Sequence, residues 1–370
     1  LVRRRGWLAL FAANALSGVA RAAGTVRTDA APKAEAAVQR NRALVFPRDH
    51  GAHPETRIEW WYLTGWLGRF EAPRAGFQVT FFRIRTGLAE ELPGRFAPRQ
   101  LLFAHAALTD LGAGRHRHAE RLARWNGDAD AVLARASLRD TDIRIGGWTL
   151  ARDGDGVYRA RIDDDALALS ISAAPTQPLL LQGDAGFSRK GPEERQASHY
   201  LTEPQLALRA RSGPDGPETE GRAWLDHEWS DELLHPDAQG WDWIGINLAD
   251  GSALTAFQLR RADGSALWAG GSWRPAGGTA RSFEPGEVRF EPLAYWTSPA
   301  TGGRYPVRWR VQTPAGRFAL RSLLDAQEMD GRAGTGTVYW EGLSELLDHS
   351  GRRLGLGYLE MTGYVGRLAV

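Results

Sequence analysis

The side chains with the most chemical potential sit on short, aromatic-rich segments. Arg57-Ile-Glu-Trp-Trp-Tyr-Leu-Thr-Gly-Trp66 sets one acid, Glu59, among three tryptophans and a tyrosine. Ala223-Trp-Leu-Asp-His-Glu-Trp229 carries Asp226, His227 and Glu228 in succession, and Gly240-Trp-Asp-Trp243 sets Asp242 between Trp241 and Trp243. Alternate side chains of an extended strand share a face. Glu59 therefore shares one face with Trp61 and Leu63, while Ile58, Trp60 and Tyr62 share the other. Asp226 and Glu228 go with Trp224, and His227 goes with Leu225 and Trp229. Glu328, Glu341 and Glu360 recur in similar settings, and Ser198-His-Tyr200 and Phe103-Ala-His105 add histidines.

Such residues support two kinds of chemistry. A carboxyl group against apolar walls has its charged form disfavoured, so its pKa rises and it can donate a proton near neutral pH. In a dry aromatic pocket that proton can go to an alkene. Water then captures the cation, which the aromatic faces stabilise. Alternatively, the same groups are hydrogen-bonded struts tying strand ends together, with Trp N–H and Tyr O–H as partners. Asp226, His227 and Glu228 are the first candidates for an acid and its orienting partners, with Glu59 and Asp242 next. Trp60, Trp61, Tyr62, Tyr200, Trp229, Trp241 and Trp243 are the candidates to line or brace a ligand pocket.

Other chemistries find little footing. No cysteine is present, which removes disulfides, Cys-metal sites and Cys nucleophiles. No Gly-x-Ser-x-Gly elbow occurs, and the histidine after His227-Glu228 is His235, too far for His-Glu-x-x-His. No phosphate-binding glycine loop, cofactor motif or metal-ligand spacing stands out. No Lys/Arg block suggests a nucleic-acid partner.

The elements that must carry these residues read as β-strands. Short β-type runs recur between turn signals, as at 58–67, 76–85, 101–109, 157–162 and 167–173. A meander follows at 241–248, 253–260 and 266–273, with Asp250-Gly251 and Asp263-Gly264 at its turns. Asp-Gly between alternating runs is a strong hairpin signal. Residues 336–347 and 353–364 make a closing hairpin. Many short antiparallel strands at this spacing mean an all-β sandwich or barrel, and a barrel can enclose a ligand.

Ahead of this part, Arg3-Arg-Arg5 precedes an apolar run to Val19 and Ala20-Arg-Ala22, the layout of an export signal over 1–22. Arg4-Arg-Gly-Trp-Leu8 is similar to the twin-arginine pattern. Residues 1–22 hold four arginines and no acid, so the total of 46 basic against 44 acidic groups becomes 42 against 44 after cleavage. The expectation is a periplasmic or secreted protein. A linker is expected at 23–43, sheet structure from about Leu44, and a junction between two domains, 44–236 and 237–370.

Taken in order, Glu59-Trp-Trp-Tyr-x-Thr-Gly65, Ser198-His-Tyr200, Trp224-Leu-Asp-His-Glu-Trp229, Gly240-Trp-Asp-Trp243, Trp296-Thr-Ser-Pro299 with Gly303-x-Tyr-Pro306, Gln327-Glu328, Tyr339-Trp-Glu-Gly342 and Gly357-Tyr-Leu-Glu-Met-Thr-Gly-Tyr364 resemble the AttH-type secreted proteins. That group is related to carotenoid 1,2-hydratase and often labelled predicted secreted hydrolases. The resemblance covers about residues 44–366. It implies two lipocalin-like antiparallel β-barrels packed together and an apolar ligand, isoprenoid or lipid. It also implies a hydro-lyase of the carotenoid 1,2-hydratase kind or, alternatively, a non-catalytic lipid-binding accessory of an ABC-transporter permease of the lipoprotein-releasing kind. One departure is visible. The hydratases carry a histidine near their Trp-Asp-Trp element and a Tyr/Asp pair on the next strand. Here Gln239 precedes the element and residues 252–259 read Ser-Ala-Leu-Thr-Ala-Phe-Gln-Leu.

Overall fold

Strand alternation decides which side of the molecule each segment serves. Tyr158–Asp163 alternates buried and exposed side chains without a break, and Arg304–Thr313 does so over most of its length. Such strands have one face on a core and one in water. Ile58–Gly68, Gly240–Leu248 and Ala253–Arg260 are instead buried on both faces over most or all of their length, as is the second half of Thr219–Ser230. A strand buried on both faces must lie between two packed layers.

The computed structural model describes residues 38–367 apart from 89, 92, 93, 95, 96, 129, 214 and 233. The expected export signal at 1–22 lies outside the described residues. Among those described, the chain is all β, with one short 3₁₀ turn at Arg48–His50 and no α-helix. It forms two antiparallel sheets of thirteen and ten strands, which end and begin at Ser230 and Gly240. In the first, Ile58–Gly68 pairs with Pro73–Arg85 on one side and Thr219–Ser230 on the other. The sheet curls until its two edges, Arg115–Trp125 and Ala134–Ala136, meet, giving a nearly closed barrel around Trp61, Phe77, Trp148 and Tyr158. The second sheet is a half-barrel centred on Gly240–Leu248, Arg353–Met361 and Val338–Leu347, around Ile244, Trp309, Trp340 and Leu359. The architecture is that of two lipocalin-like barrels. The turns Asp250-Gly251 and Asp263-Gly264 close hairpins with both glycines at positive φ, +90° and +84°.

Sheet structure starts at Ile58 rather than near Leu44. Pro47, Gly51 and Pro54 break the extended run, and residues 44–57 form turns that deliver Asp49 and His53 to the barrel end. Residues 38–43 run along that end, where Arg40 pairs with Asp184 at 3.0 Å and Glu194 at 2.9 Å.

The two sheets are locked face to face. Tyr62, Trp66 and Trp224 from the first pack on Trp243, Phe257, Leu343 and Tyr358 from the second. Polar stitches accompany them. A register shift between Glu203 and Leu206 leaves Gln205 at φ +58°, a left-handed conformation uncommon outside glycine. From there its backbone N–H donates to Asn247 Oδ1 at 2.8 Å and its side chain donates to the carbonyls of Leu248 and Ser252, both at 2.9 Å. Gly76 marks the closest approach of a first-sheet backbone to this seam. A Cβ there would stand 2.7 Å from Leu343 Cβ and 2.8 Å from the Tyr358 hydroxyl. Overpacking a close seam is destabilising. Gly76→Val should lower stability by about 1–3 kcal/mol, read as a lower urea midpoint at unchanged slope. An unchanged midpoint would show that the sheets do not meet tightly at this point.

Candidate functional site

The strand Thr219–Ser230 divides its acidic-histidine cluster between two compartments. His227 points into the first barrel, whereas Asp226 and Glu228 point toward the second sheet. Ile58–Gly68, its antiparallel neighbour, does the same with Glu59 and Trp61 on one side and Trp60 and Tyr62 on the other, in a register that sets Tyr62 opposite Asp226 and Trp60 opposite Glu228.

On the barrel side, Glu59 is the hub of a buried polar network. Its oxygens accept from Arg83 Nε at 2.7 Å, the His53 backbone N–H at 2.9 Å, and contact His53 Nδ1 at 2.7 Å and His227 Nε2 at 2.9 Å. Arg83 spends its other donors on the carbonyls of His53 and Thr56, the Thr56 hydroxyl and Gln100. Trp229 stacks on His53 at 3.7 Å and Trp61 on His227 at 4.6 Å. Burial opposes the charge on Glu59, but Arg83 and the two histidines outweigh it and hold the carboxyl well below its usual range. Burial likewise pushes the His227 imidazole down to about 4. His53, Glu59 and His227 bring their ligand atoms within 4.8 Å of one another, the spacing of a metal-binding trio. A cation there would share Glu59 with the Arg83 guanidinium, which the network already uses as its counter-charge. Asp242 is braced in the second sheet, although there burial outweighs its partners and raises the carboxyl above its usual range. It pairs with Arg260 at 2.7 Å and accepts from Gln258 at 2.8 Å and Tyr364 at 2.9 Å, away from the other candidates. Glu59, His227, Asp242, Trp61 and Trp229 thus occupy bracing positions.

The opposite faces enclose a cavity of about 290 Å³ between the sheets. Trp60, Tyr62, Tyr200, Trp241 and Trp243 line it together with Asp226 and Glu228. Asp226 accepts from Tyr200 at 2.7 Å and Thr202 at 2.6 Å, and burial pushes its carboxyl up to about 7 against those bonds. Glu228 accepts from Ser198 at 2.5 Å and pairs with Lys190 at 2.9 Å. The Lys190 ammonium lies over the Tyr200 and Phe257 rings at 4.4 and 4.5 Å.

The second sheet adds two acids that were visible in the sequence only as recurring motifs. Glu341, in Tyr339-Trp-Glu-Gly342, is 1% exposed, and neither of its oxygens has a hydrogen-bond partner among the described residues. The hydroxyls of Tyr62 and Tyr339 face it without reaching hydrogen-bond geometry. Glu360 stands directly opposite on the adjacent strand. Burial, then the charge of Glu360, drives the Glu341 carboxyl well above its usual range; burial drives Glu360 up to about 8 despite a restraining bond from Trp241. His105 reaches in from the first sheet with Nδ1 2.7 Å from the Tyr339 hydroxyl, and burial pushes its imidazole down to about 3. Lys190, His105, Glu341 and Glu360 complete a site that no single motif reveals. The signal for Glu341 and Glu360 was an acid between aromatic residues on a strand, the same one that singled out Glu59; His105 showed as Phe103-Ala-His105, and Lys190 carried no signal.

The two environments respond oppositely to change. Glu59→Ala would leave Arg83 buried without its carboxylate, a loss of about 3–5 kcal/mol in urea unfolding. Since the Glu59 pKa is depressed by folding, its contribution is present above about 4.5 and lost as pH falls. Glu360 has the reverse sign. Its folded pKa near 8 exceeds the unfolded 4.5, so the wild type loses stability as pH rises between them. Glu360→Gln should therefore melt above wild type at about pH 8 and close to it at about pH 4, as calorimetry at the two values would show.

Comparison with known proteins agrees with this architecture. The AttH-like family model matches residues 37–364. A crystal structure of a Nitrosomonas europaea protein provisionally named AttH is 45% identical, spans 89% of this chain and 99% of that one, and superposes with a TM-score of 0.80. Kievitone hydratase from Nectria haematococca shares the fold at 14% identity, with 88% of this chain and 94% of that one covered and a TM-score of 0.64. No curated protein matches at a significant level. With the family model spanning almost all of both sheets, the chain belongs to the AttH-like family.

Proposed function

We propose that this protein binds an apolar, alkene-bearing molecule of the isoprenoid or lipid class between its sheets and adds water across the double bond. The observation that carries this reading is Glu341, a buried carboxyl on an aromatic wall with neither oxygen hydrogen-bonded among the described residues. Burial raises its pKa well above the usual carboxylate range, which favours the protonated form and makes it a proton donor where water is scarce.

The Glu341 O–H bond breaks and its proton forms a C–H bond with the alkene π electrons, leaving a carbocation at the other carbon. The faces of Trp60, Trp241 and Trp243 stabilise that cation. A water oxygen forms the C–O bond, and its surplus proton passes to Glu228, held by Lys190 at 2.9 Å. Solvent then returns a proton to Glu341 and removes one from Glu228, so the net change is alkene plus water to alcohol. Asp226, anchored by Tyr200 and Thr202, orients the water.

Cavity size limits what is enclosed. A void of ~150 Å³ takes one benzene ring, so about 290 Å³ holds roughly a dozen carbons. A longer chain would enter by its end and trail past Leu122, a lining residue that is 54% exposed. With the export signal expected at 1–22, the reaction would take place outside the cytoplasm.

The test is a panel of small terpenoid alkenes, such as myrcene, geraniol and farnesene. Hits found by tryptophan quenching are incubated in heavy-oxygen water and analysed for labelled alcohol. Glu341→Gln should lower turnover by about 100-fold or more while leaving quenching intact. Wild-type turnover should hold through neutral pH and fall as alkali deprotonates the donor, whereas an ordinary carboxyl would lose its proton above about pH 4.3. Binding without labelled product in the wild type would reject catalysis and leave a lipid carrier.

A further inference from the structure

The charges around the cavity do not balance. Asp226 and Glu228 face it from the first sheet, and Glu341 and Glu360 from the second. Lys190 is the only lysine or arginine among the described residues that line it, and it is committed to Glu228. His105 is held neutral by burial. Three carboxyls therefore share the space with no cationic partner.

Asp226 has its bonds from Tyr200 and Thr202 and Glu360 its bond from Trp241, but Glu341 has none among the described residues, with Glu360 opposite it across the strand pair. Like groups directly opposite repel when both ionise. Trp60, Tyr62, Trp241 and Trp243 line the same cavity. Aromatic faces and unpaired carboxylates favour the same guest, a weakly hydrated cation, and both disfavour an anion.

We infer that the cavity is a binding site for lipophilic organic cations, an ammonium group on an alkyl chain, taken up in exchange for a proton from the Glu341–Glu360 pair. The inference rests on the hydration reading only in using its cavity. There the cation is a transient carbon centre, and here a stable nitrogen centre takes its place. Only one O–H bond breaks, and the proton leaves to solvent.

The groups that set the pH dependence come from both sheets. Glu360 and Tyr358 face Glu341 from the neighbouring strand, Tyr339 from its own, and Tyr62 from the opposing sheet; Asp226 and Glu228 act on Glu360. Lys190 and His105 complete the lining. Raising the pH makes the exchanged proton easier to release, so cation binding tightens. Anion binding weakens over the same range.

Octyltrimethylammonium, octanol and octanoate differ in head-group charge on one chain. Isothermal titration of each at about pH 6 and about pH 9, in two buffers of different ionisation enthalpy, reads affinity and proton release together. The ammonium should bind about tenfold or more tighter than octanol at the higher pH, weaken on acidification, and release close to one proton. Glu341→Gln should bring the ammonium to about the affinity of octanol and abolish proton release, while unchanged octanol binding shows the cavity intact. Octanoate binding as tightly as the ammonium, or no proton release from the wild type, would overturn the inference. A wild type that hydrates a neutral alkene yet ignores the ammonium loses this inference alone. One that binds the ammonium and hydrates nothing loses the hydration reading alone.

Discussion

Face-to-face packing of the two sheets commits both sides of Ile58–Gly68 and of the second half of Thr219–Ser230 to the interior. A half-exposed strand has a wet face on which charge is cheap. These strands have none, so each polar side chain on them must find partners in one of two enclosed spaces. The period of two then sends neighbours in sequence to different places. His227 goes to the barrel network, and Asp226 and Glu228 go to the cavity. The seam around Trp224, Trp243 and Tyr62, with Gly76 giving room and Gln205 and Asn247 stitching the edge, holds this partition in place.

The same chemical group is tuned in opposite directions on the two sides. Glu59 and Glu341 are both buried carboxyls one strand-width from tryptophan. Glu59 meets a guanidinium, two imidazoles and a backbone N–H, and the charged form wins. Glu341 meets another acid and two phenols that do not bond to it, and the neutral form wins. A carboxylate with both oxygens engaged serves to brace; one with neither engaged has capacity left for a ligand. This contrast, more than burial alone, separates strut from site.

Kinship and chemistry are separate claims. Membership of the AttH-like family and the fold shared with kievitone hydratase describe how the chain is built. Folds of this kind host different reactions, so activity has to be argued from the cavity itself. In this cavity, carboxyls, aromatic side chains and a single lysine come together from both sheets.

Much of the fold was legible in the sequence. Alternating runs, Asp-Gly turns and the closing hairpin marked strands that agree with the structure to within a few residues, because turn chemistry and a period of two are local properties. Acids set among Trp and Tyr on short segments marked Glu59, Asp226, Glu228, Asp242, Glu341 and Glu360. Sequence also determined which residues share a face. It could not say which face lies inside, because strands buried on both sides show no apolar-polar alternation to read. Nor could it extend the early segment correctly, since residues 44–57 look strand-like until the barrel end is there to receive Asp49 and His53. Only the tertiary structure brought Asp226 and Glu341, 115 positions apart, into one cavity while separating Asp226 from its neighbour His227. Proximity across a sheet interface depends on packing between distant strands, whereas separation across a strand is decided by the pleat.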